Sequence, residues 1–250
     1  NLYPKVFKNT FTIVATILIS TFAVIGVISA ATTIGTDITT TGKIYQTGLG
    51  GSTFYGEGAG INDDLTDNAN SAVGYQALYS NTTGNYNSAF GKHALFSNTT
   101  GQFNYAFGDS ALTSNTTGGY NSAFGGAALF INNGTFNSAF GDSALTSNTT
   151  GGANNAFGAN SLYYNTTGQN NVAVGESASM KNNFATSTVA VGTAAGRGGG
   201  SSFNAGYYTA VGASSLYSIR TGAENNTAVG YRSGYVVSTG ANNILIGYQA

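Results

Sequence analysis

The motif Ala-(Phe/Val)-Gly recurs along most of the chain at an almost constant interval, and this period constrains the fold more than any other feature. Its closing glycine, or the equivalent one in the last unit, occurs eleven times, at gaps of 16 to 20 residues that are mostly 17. These marker glycines are Gly74, Gly91, Gly108, Gly125, Gly141, Gly158, Gly175, Gly192, Gly212, Gly230 and Gly247. Such a short fixed period is typical of a stacked solenoid, in which one unit cannot bury its apolar face without neighbours. The sequence therefore predicts a rod of about eleven 17-residue coils.

Each unit contains two short strand candidates and a turn, as the segment from Asn87 to Gly101 illustrates. NSAFG and ALFS are short and largely apolar, and NTTG supplies a turn. The glycines of each unit and its Asn-Thr-Thr sequence oppose a helix. We therefore predict an all-β fold, a parallel β-solenoid (β-roll) whose coils rise about 4.8 Å each.

The first strand of each unit carries two apolar side chains that must point to opposite faces. An alanine ladder stands two residues before the marker glycine, and a Phe/Val ladder stands one residue before it. The narrow interior can take the alanine ladder with leucines such as Leu95, or it can take the Phe/Val ladder. If the Phe/Val ladder faces outward, it forms a continuous apolar stripe on the surface, and such stripes mark interfaces. We therefore predict that copies of the chain associate lengthwise, and we expect a trimer. The predicted interface residues are Phe90, Phe107, Phe124, Phe140, Phe157, Val174 and Val191.

An apolar segment without charges runs from Thr10 to Ala31. As a helix it would be about 33 Å long, which is close to the thickness of a bilayer core. It is interpreted as an export signal, a retained membrane anchor, or a buried helix of a pilus-like filament. Lys5 and Lys8 precede it, which favours a cytoplasmic N-terminus and export of everything that follows.

Three regions follow from these patterns: residues 1–31 as a signal or anchor helix, 32–70 as a Thr- and Gly-rich connector or shaft, and 71–250 as the repeat domain. The stretch 185–208 contains GRGGGSS, lengthens one interval by three residues and predicts a bulging surface loop. We expect the sequence to be a fragment, because it lacks an initiating Met and stops in mid-repeat. The expected location is the cell surface or the extracellular space.

Composition disfavours several classes of function. Only 7% of the residues are charged, the net charge is −1, and no basic run is present, so nucleic-acid binding is not expected. The chain has no cysteine, which excludes disulfides and cysteine-ligated zinc. Its one histidine, His93, stands at a variable turn position, and the nine carboxylates are scattered. General acid–base catalysis requires two such groups together, so we do not predict an enzyme.

Two local features have a chemical and a structural interpretation. Asp63, Asp64 and Asp67 lie close enough in sequence to suggest a weak calcium site, although a solvated cap before the first coil explains them as well. No other cofactor is predicted. The Asn-Thr-Thr-Gly turns match glycosylation acceptors, but stacked asparagines that hydrogen-bond along the rod explain them better. The asparagines of these turns are Asn81, Asn98, Asn115, Asn148 and Asn165.

The NSAFG or NTAVG strand, followed by a short alanine-bearing segment, resembles the head repeats of trimeric autotransporter adhesins (YadA-like). The longer unit GYQALYSNTTGNYNSAFG is similar to repeats of bacterial and phage tail-fibre-type proteins, which often end in a self-cleaving chaperone domain. The resemblance covers about 71–250 and implies a left-handed β-roll that assembles as a trimer. The adhesin repeats are shorter than 17 residues. Neither a membrane-anchoring β-barrel nor a chaperone domain lies in this chain, so autotransport and self-cleavage do not carry over.

Together these observations predict a structural and adhesive fibre, the head or stalk of a trimeric surface adhesin. A phage or prophage tail fibre and a pilus-like filament subunit are the alternatives. The expected partners are further copies of the chain, a host-cell, matrix or glycan surface, and a membrane through residues 10–31 if these are retained. Tyrosines offer amphipathic contact area, or they stack and stiffen the rod. The candidate contact residues are Tyr75, Tyr79, Tyr86, Tyr120, Tyr163 and Tyr164.

Overall fold

A computed structural model describes residues 51–64, 68–200 and 203–250. Within these residues, twelve three-residue strands form one parallel sheet whose spatial order follows the sequence. The strands are β1 (Thr53–Tyr55), β2 (Ser71–Val73), β3 (Ser88–Phe90), β4 (Tyr105–Phe107), β5 (Ser122–Phe124), β6 (Ser138–Phe140), β7 (Asn155–Phe157), β8 (Val172–Val174), β9 (Val189–Val191), β10 (Thr209–Val211), β11 (Thr227–Val229) and β12 (Ile244–Ile246). The predicted parallel β-solenoid is confirmed. It includes one coil, that of β1, before the eleven with marker glycines. The predicted apolar helix lies outside the described residues.

Equivalent positions of successive coils lie directly above one another. Between β3 and β4, Ala89 pairs with Ala106, and the other strand pairs keep the same register. Backbone hydrogen bonds between coils continue beyond the strands, for example from the Leu95 amide to the Ala111 carbonyl at 3.0 Å. Each coil is therefore bonded to its neighbours along most of its path, although only three of its residues form a strand.

The second strand predicted over ALFS is not formed, and this part of the coil is a turn. In the coil after Gly91, the φ angles of His93 and Leu95 are 56° and 52°, and the amide of Asn98 bonds the Leu95 carbonyl at 3.1 Å. An extended strand needs negative φ. The physical reason is that Ala94 and Leu95 are adjacent yet both fully buried, whereas neighbours on a strand point to opposite faces.

The interior of the coils contains the alanine ladder, and the Phe/Val ladder lies outside. Ala89 and its equivalents are fully buried with the Ala-Leu pairs, while Phe90 and its equivalents stand on the outer face of the sheet. Where the strand of this narrow coil approaches the opposite wall, the interior has no room for a side chain larger than that of alanine. This result decides between the two arrangements that the sequence left open.

The marker glycine is required by the stacking itself. Gly108 has a φ of 144°, and a Cβ atom placed on it would lie 2.4 Å from the carbonyl oxygen of Gly125 in the next coil. A side chain here would meet backbone that cannot move without breaking the stack. Every marker glycine except Gly247 makes this contact with the next coil, and all of them have a positive φ, which explains why glycine closes the motif.

Two ladders of fully buried asparagines run along the interior. The strand-side Asn ladder comprises Asn70, Asn87, Asn104, Asn121, Asn137, Asn154 and Asn171, and the turn-side Asn ladder comprises Asn81, Asn98, Asn115, Asn132, Asn148 and Asn165. In the turn-side ladder, Nδ2 of Asn98 donates to Oδ1 of Asn81 at 2.9 Å and to the Gly101 carbonyl at 3.0 Å. The interpretation of the Asn-Thr-Thr-Gly segments as turns with stacked asparagines is confirmed. Their side chains are enclosed and unavailable to a glycosylating enzyme in the folded rod.

The core changes composition where the repeat is interrupted. The position of the core leucine is taken by Ser179 and Gly196 in two successive coils, and the ring of Tyr208 fills the space. A Cβ on Gly196 would lie 2.7 Å from that ring. The phenol hydrogen-bonds Ser179 Oγ, and burial raises the pKa of Tyr208 above its usual value. The predicted surface loop is therefore partly internal, since Phe203 is buried as well.

Candidate interaction surface

Five phenylalanine rings form a continuous stack on the outer face of the sheet. Adjacent ring centroids are 4.7 to 4.9 Å apart, and the ring planes agree within 5°. This spacing equals the usual separation of paired strands, so the backbone ladder sets the ring spacing. The stack, called the Phe stripe below, consists of Phe90, Phe107, Phe124, Phe140 and Phe157.

The rings cover each other's faces but leave their edges in water. The terminal rings of Phe90 and Phe157 are 38% and 41% exposed, and the three inner rings are half-buried. The predicted interface residues Val174 and Val191 continue the column, the first exposed and the second half-buried. Burying what remains exposed of five rings would contribute on the order of 5 kcal/mol, at about 1.5–3 kcal/mol for a whole side chain.

The Phe stripe is only one residue wide. The side chains two positions earlier on each strand also point outward, and beside the stripe they are mainly polar, as at Ser88, Ser122 and Asn155. A narrow apolar column between polar columns is suited to contact along a line. It is less suited to a broad flat interface.

The six candidate tyrosines do not form one surface. Tyr86 and Tyr120 belong to a second aromatic row, which sequence reasoning missed because its members alternate between Tyr and Phe five residues before the marker glycine. The row is Tyr86, Phe103, Tyr120 and Phe136, with centroids 4.9 to 5.0 Å apart. Elsewhere Tyr79 stacks on Phe96 at 5.2 Å.

The remaining candidates pack locally. Tyr75 is exposed beside His93, with ring centroids 5.6 Å apart, and Tyr163 meets Tyr164 edge to face at 4.7 Å. Stacking is therefore observed for Tyr79, Tyr86 and Tyr120. A ligand-contact role for any of the six remains a prediction.

His93 lies in the turn that the sequence predicted. Its ring packs against Tyr75 and against Phe96, whose centroid is 5.3 Å away. In the described part of the chain, no group of three His, Asp or Glu side chains is arranged to hold a metal ion. Across the same residues, no helix is long and apolar enough to cross a membrane. The apolar segment 10–31 lies outside them.

We found no match for the chain among protein family models, curated proteins or solved structures. The resemblance to adhesin and tail-fibre repeats therefore remains a prediction, and the function is inferred from the geometry of this molecule.

Two of the three aspartates proposed as calcium ligands hydrogen-bond to asparagine side chains in the structure. Asp63 is 8% exposed and occupies the turn-side Asn ladder position of the first coil. Its Oδ2 accepts Nδ2 of Asn70 at 2.9 Å and Nδ2 of Asn81 at 3.0 Å, which are the first rungs of the two ladders. Asp64 accepts Nδ2 of Asn68 at 2.8 Å, and Asp67 lies outside the described residues. The rungs donate toward the preceding coil, so the first rungs need acceptors there. Asp63 accepts their side-chain amides, and Ser52 Oγ accepts the backbone amide of Asn70 at 3.0 Å.

Replacing Asp63 tests this capping role. Asp63→Ala is expected to lower the free energy of unfolding by about 2 kcal/mol, because the buried side-chain amides of Asn70 and Asn81 each keep their bond to the Gly84 carbonyl but lose their second acceptor. Asp63→Asn keeps an acceptor oxygen, as Asn81 and Asn98 do in the next two coils, and is expected to lose less than about 1 kcal/mol. Urea unfolding with amide exchange in the first two coils measures both. Equal losses for the two variants would contradict the role.

Proposed function

We propose that the chain is a structural and adhesive fibre whose copies associate lengthwise through the Phe stripe to form a trimer. The observation that supports this proposal most strongly is the unbroken stack of five rings with their edges in water. Continuous exposed apolar columns of this kind mark interfaces in soluble proteins.

The period of the stripe favours a copy of the same chain as its partner. Ring edges repeat every 4.7 to 4.9 Å, so they can mesh over their whole length only with a surface of the same period. Another copy of this solenoid supplies that period. The strands that carry the Phe stripe contain no charged residue, so contact along the stripe itself brings no like charges together.

The width of the stripe favours three copies over two. A column one residue wide, with polar columns such as that of Ser122 beside it, leaves little apolar area for a two-sided contact. When the Phe stripes of three copies converge on a common axis, the ring edges of each stripe are surrounded by those of the other two. The polar columns beside each stripe then lie at the outer borders of the contact. Closed cyclic symmetry of this kind is usual for homo-oligomers.

The remaining surface suits display. It repeats Thr, Tyr and Phe side chains with few charges along the solenoid, so one weak contact can be made many times. With export directed by residues 10–31, such a rod serves at the cell surface or in the extracellular space as the head or stalk of a fibre.

A spin label tests which face is shared between copies. The chain has no cysteine, so Ser122→Cys places a unique label two residues from Phe124, and Thr117→Cys places one at an exposed turn position of the same coil. We expect strong dipolar broadening between chains for the label at 122 and much weaker broadening at 117. Absence of broadening at 122, or equal broadening at both positions, would contradict the proposed interface.

A further inference from the structure

Charged side chains are distributed unevenly along the solenoid. Among the described residues, those up to 171 include one cation, Lys92, and five carboxylates, whereas those from 172 onward include four cations and two carboxylates. These four cations, called the basic patch below, are Lys181, Arg197, Arg220 and Arg232. Within the described coils, positive charge is thus concentrated at the C-terminal end.

Two members of the basic patch are fixed against a pair of stacked tyrosines. The rings of Tyr217 and Tyr235 are 4.9 Å apart and nearly parallel. Arg197 Nη1 donates to Tyr217 Oη at 2.9 Å, and its guanidinium carbon is 5.4 Å from that ring centre. The guanidinium carbon of Arg232 is 5.2 Å from the ring centre of Tyr235. These contacts hold two guanidinium groups in place while leaving their other donors unused.

The other two members flank the glycine-rich segment that interrupts the repeat. Lys181 Nζ donates to the Gly200 carbonyl. A Cβ on Gly200 would lie 3.7 Å from the Arg220 guanidinium, so this side chain lies over the same segment. The Lys181 amide bonds the Arg197 carbonyl of the next coil at 3.1 Å. Lys181, Arg197 and Arg220 therefore follow one another along the rod on one side of three successive coils.

No carboxylate within the described ranges forms an ion pair with any of the four cations. Within the described residues, no ion pair neutralises their positive charge, and the four cations follow the rod axis at intervals of roughly one coil, about 4.8 Å. We propose that the basic patch binds a linear anionic polysaccharide, one whose carboxylate or sulfate groups repeat along its length. This site is separate from the Phe stripe and does not depend on self-association.

The local geometry favours a polysaccharide over other polyanions. Single-stranded nucleic acid stacks its bases on open aromatic faces, but the facing sides of Tyr217 and Tyr235 cover each other, and both rings also carry a guanidinium. An acidic peptide that adds as a strand needs unpaired backbone. Here the amides of Ser218 and Arg220 already bond the next coil at 3.1 and 2.9 Å. What the surface offers is charge and hydroxyl groups.

Binding of the full chain to heparin, used as a sulfated polysaccharide probe, tests the proposal. We expect retention on immobilised heparin that falls as salt rises, and none on neutral dextran. The triple variant Lys181→Gln, Arg220→Gln, Arg232→Gln is expected to raise the heparin dissociation constant at least about ten-fold. Arg197 is kept because it is half-buried and hydrogen-bonds the Tyr217 hydroxyl, whereas Arg232 is exposed.

Single variants provide a matched control that does not depend on the triple variant folding. Arg220→Gln and Lys92→Gln each remove one exposed cation, the first inside the patch and the second far from it. We expect weaker heparin binding for Arg220→Gln and an unchanged constant for Lys92→Gln. The proposal is overturned if the wild-type chain does not bind heparin at low salt, if both single variants weaken binding equally, or if single-stranded DNA binds as tightly as heparin.

Discussion

Replacing Asn154 with alanine is expected to lower the free energy of unfolding by about 3 kcal/mol or more, because four buried hydrogen bonds are lost together and one buried amide keeps no acceptor. Its Nδ2 donates to Oδ1 of Asn137 at 3.1 Å and to the Gly168 carbonyl at 2.8 Å. Its Oδ1 accepts both the amide and Nδ2 of Asn171, at 3.1 and 2.9 Å. Alanine leaves the Asn171 amide without an acceptor in a sealed interior, and it removes one hydrogen bond each from the Asn137 side chain, the Gly168 carbonyl and the Asn171 side chain. Urea unfolding measures the loss.

The next residue supplies the control. Asn155 points outward from the same strand, and Asn155→Ala is the same chemical change at a position where other coils carry Ser, Tyr or Val. It is expected to change the free energy of unfolding by no more than about 0.5 kcal/mol. Similar effects of the two variants would mean that the strand-side Asn ladder does not hold the coils together.

The second large effect is expected from Phe124→Asp at the centre of the Phe stripe. In the proposed trimer this change places three carboxylates together in a desolvated contact, where unpaired charges cost several kcal/mol. Association is expected to weaken at least about 100-fold, which light scattering across a concentration series measures. The monomer should stay folded, because Phe124 lies on the outer face.

Thr117→Asp controls for the added charge. Thr117 is exposed in a turn of the same coil, so it gains the same carboxylate away from the stripe. Its association is expected to match that of the unchanged chain. If Thr117→Asp dissociates the oligomer as strongly as Phe124→Asp does, the Phe stripe is not the contact.

The period of the chain was enough to predict the solenoid, because each coil must place the same types of residue at the same positions as the coils above and below it. The marker glycines, the inward alanines and the outward phenylalanines all occupy fixed positions in that period. Whether alanine or phenylalanine faced inward could not be read from alternation alone. The inward residue depends on how close the opposite walls of a coil lie to each other. Ala94 and Leu95 are adjacent and both buried, and they fill the interior so that only alanine fits on the strand side.

Other features could not be predicted because they depend on contacts between distant residues. The second strand was predicted from the composition of ALFS, and the left-handed φ of Leu95 overrides that composition. The capping role of Asp63 becomes evident only when it aligns with Asn81 in the next coil. Likewise, the cations of the basic patch are well separated in sequence and come together only when the coils stack.

The mass of the full chain in solution tests the central claim most directly, namely that the Phe stripe is covered by copies of the same chain. Light scattering over a wide concentration range is expected to give three times the 25.3 kDa chain mass, with dissociation only on dilution. A folded protein that keeps a mass of 25.3 kDa at every concentration, with the ring edges of the stripe in water, would contradict the account.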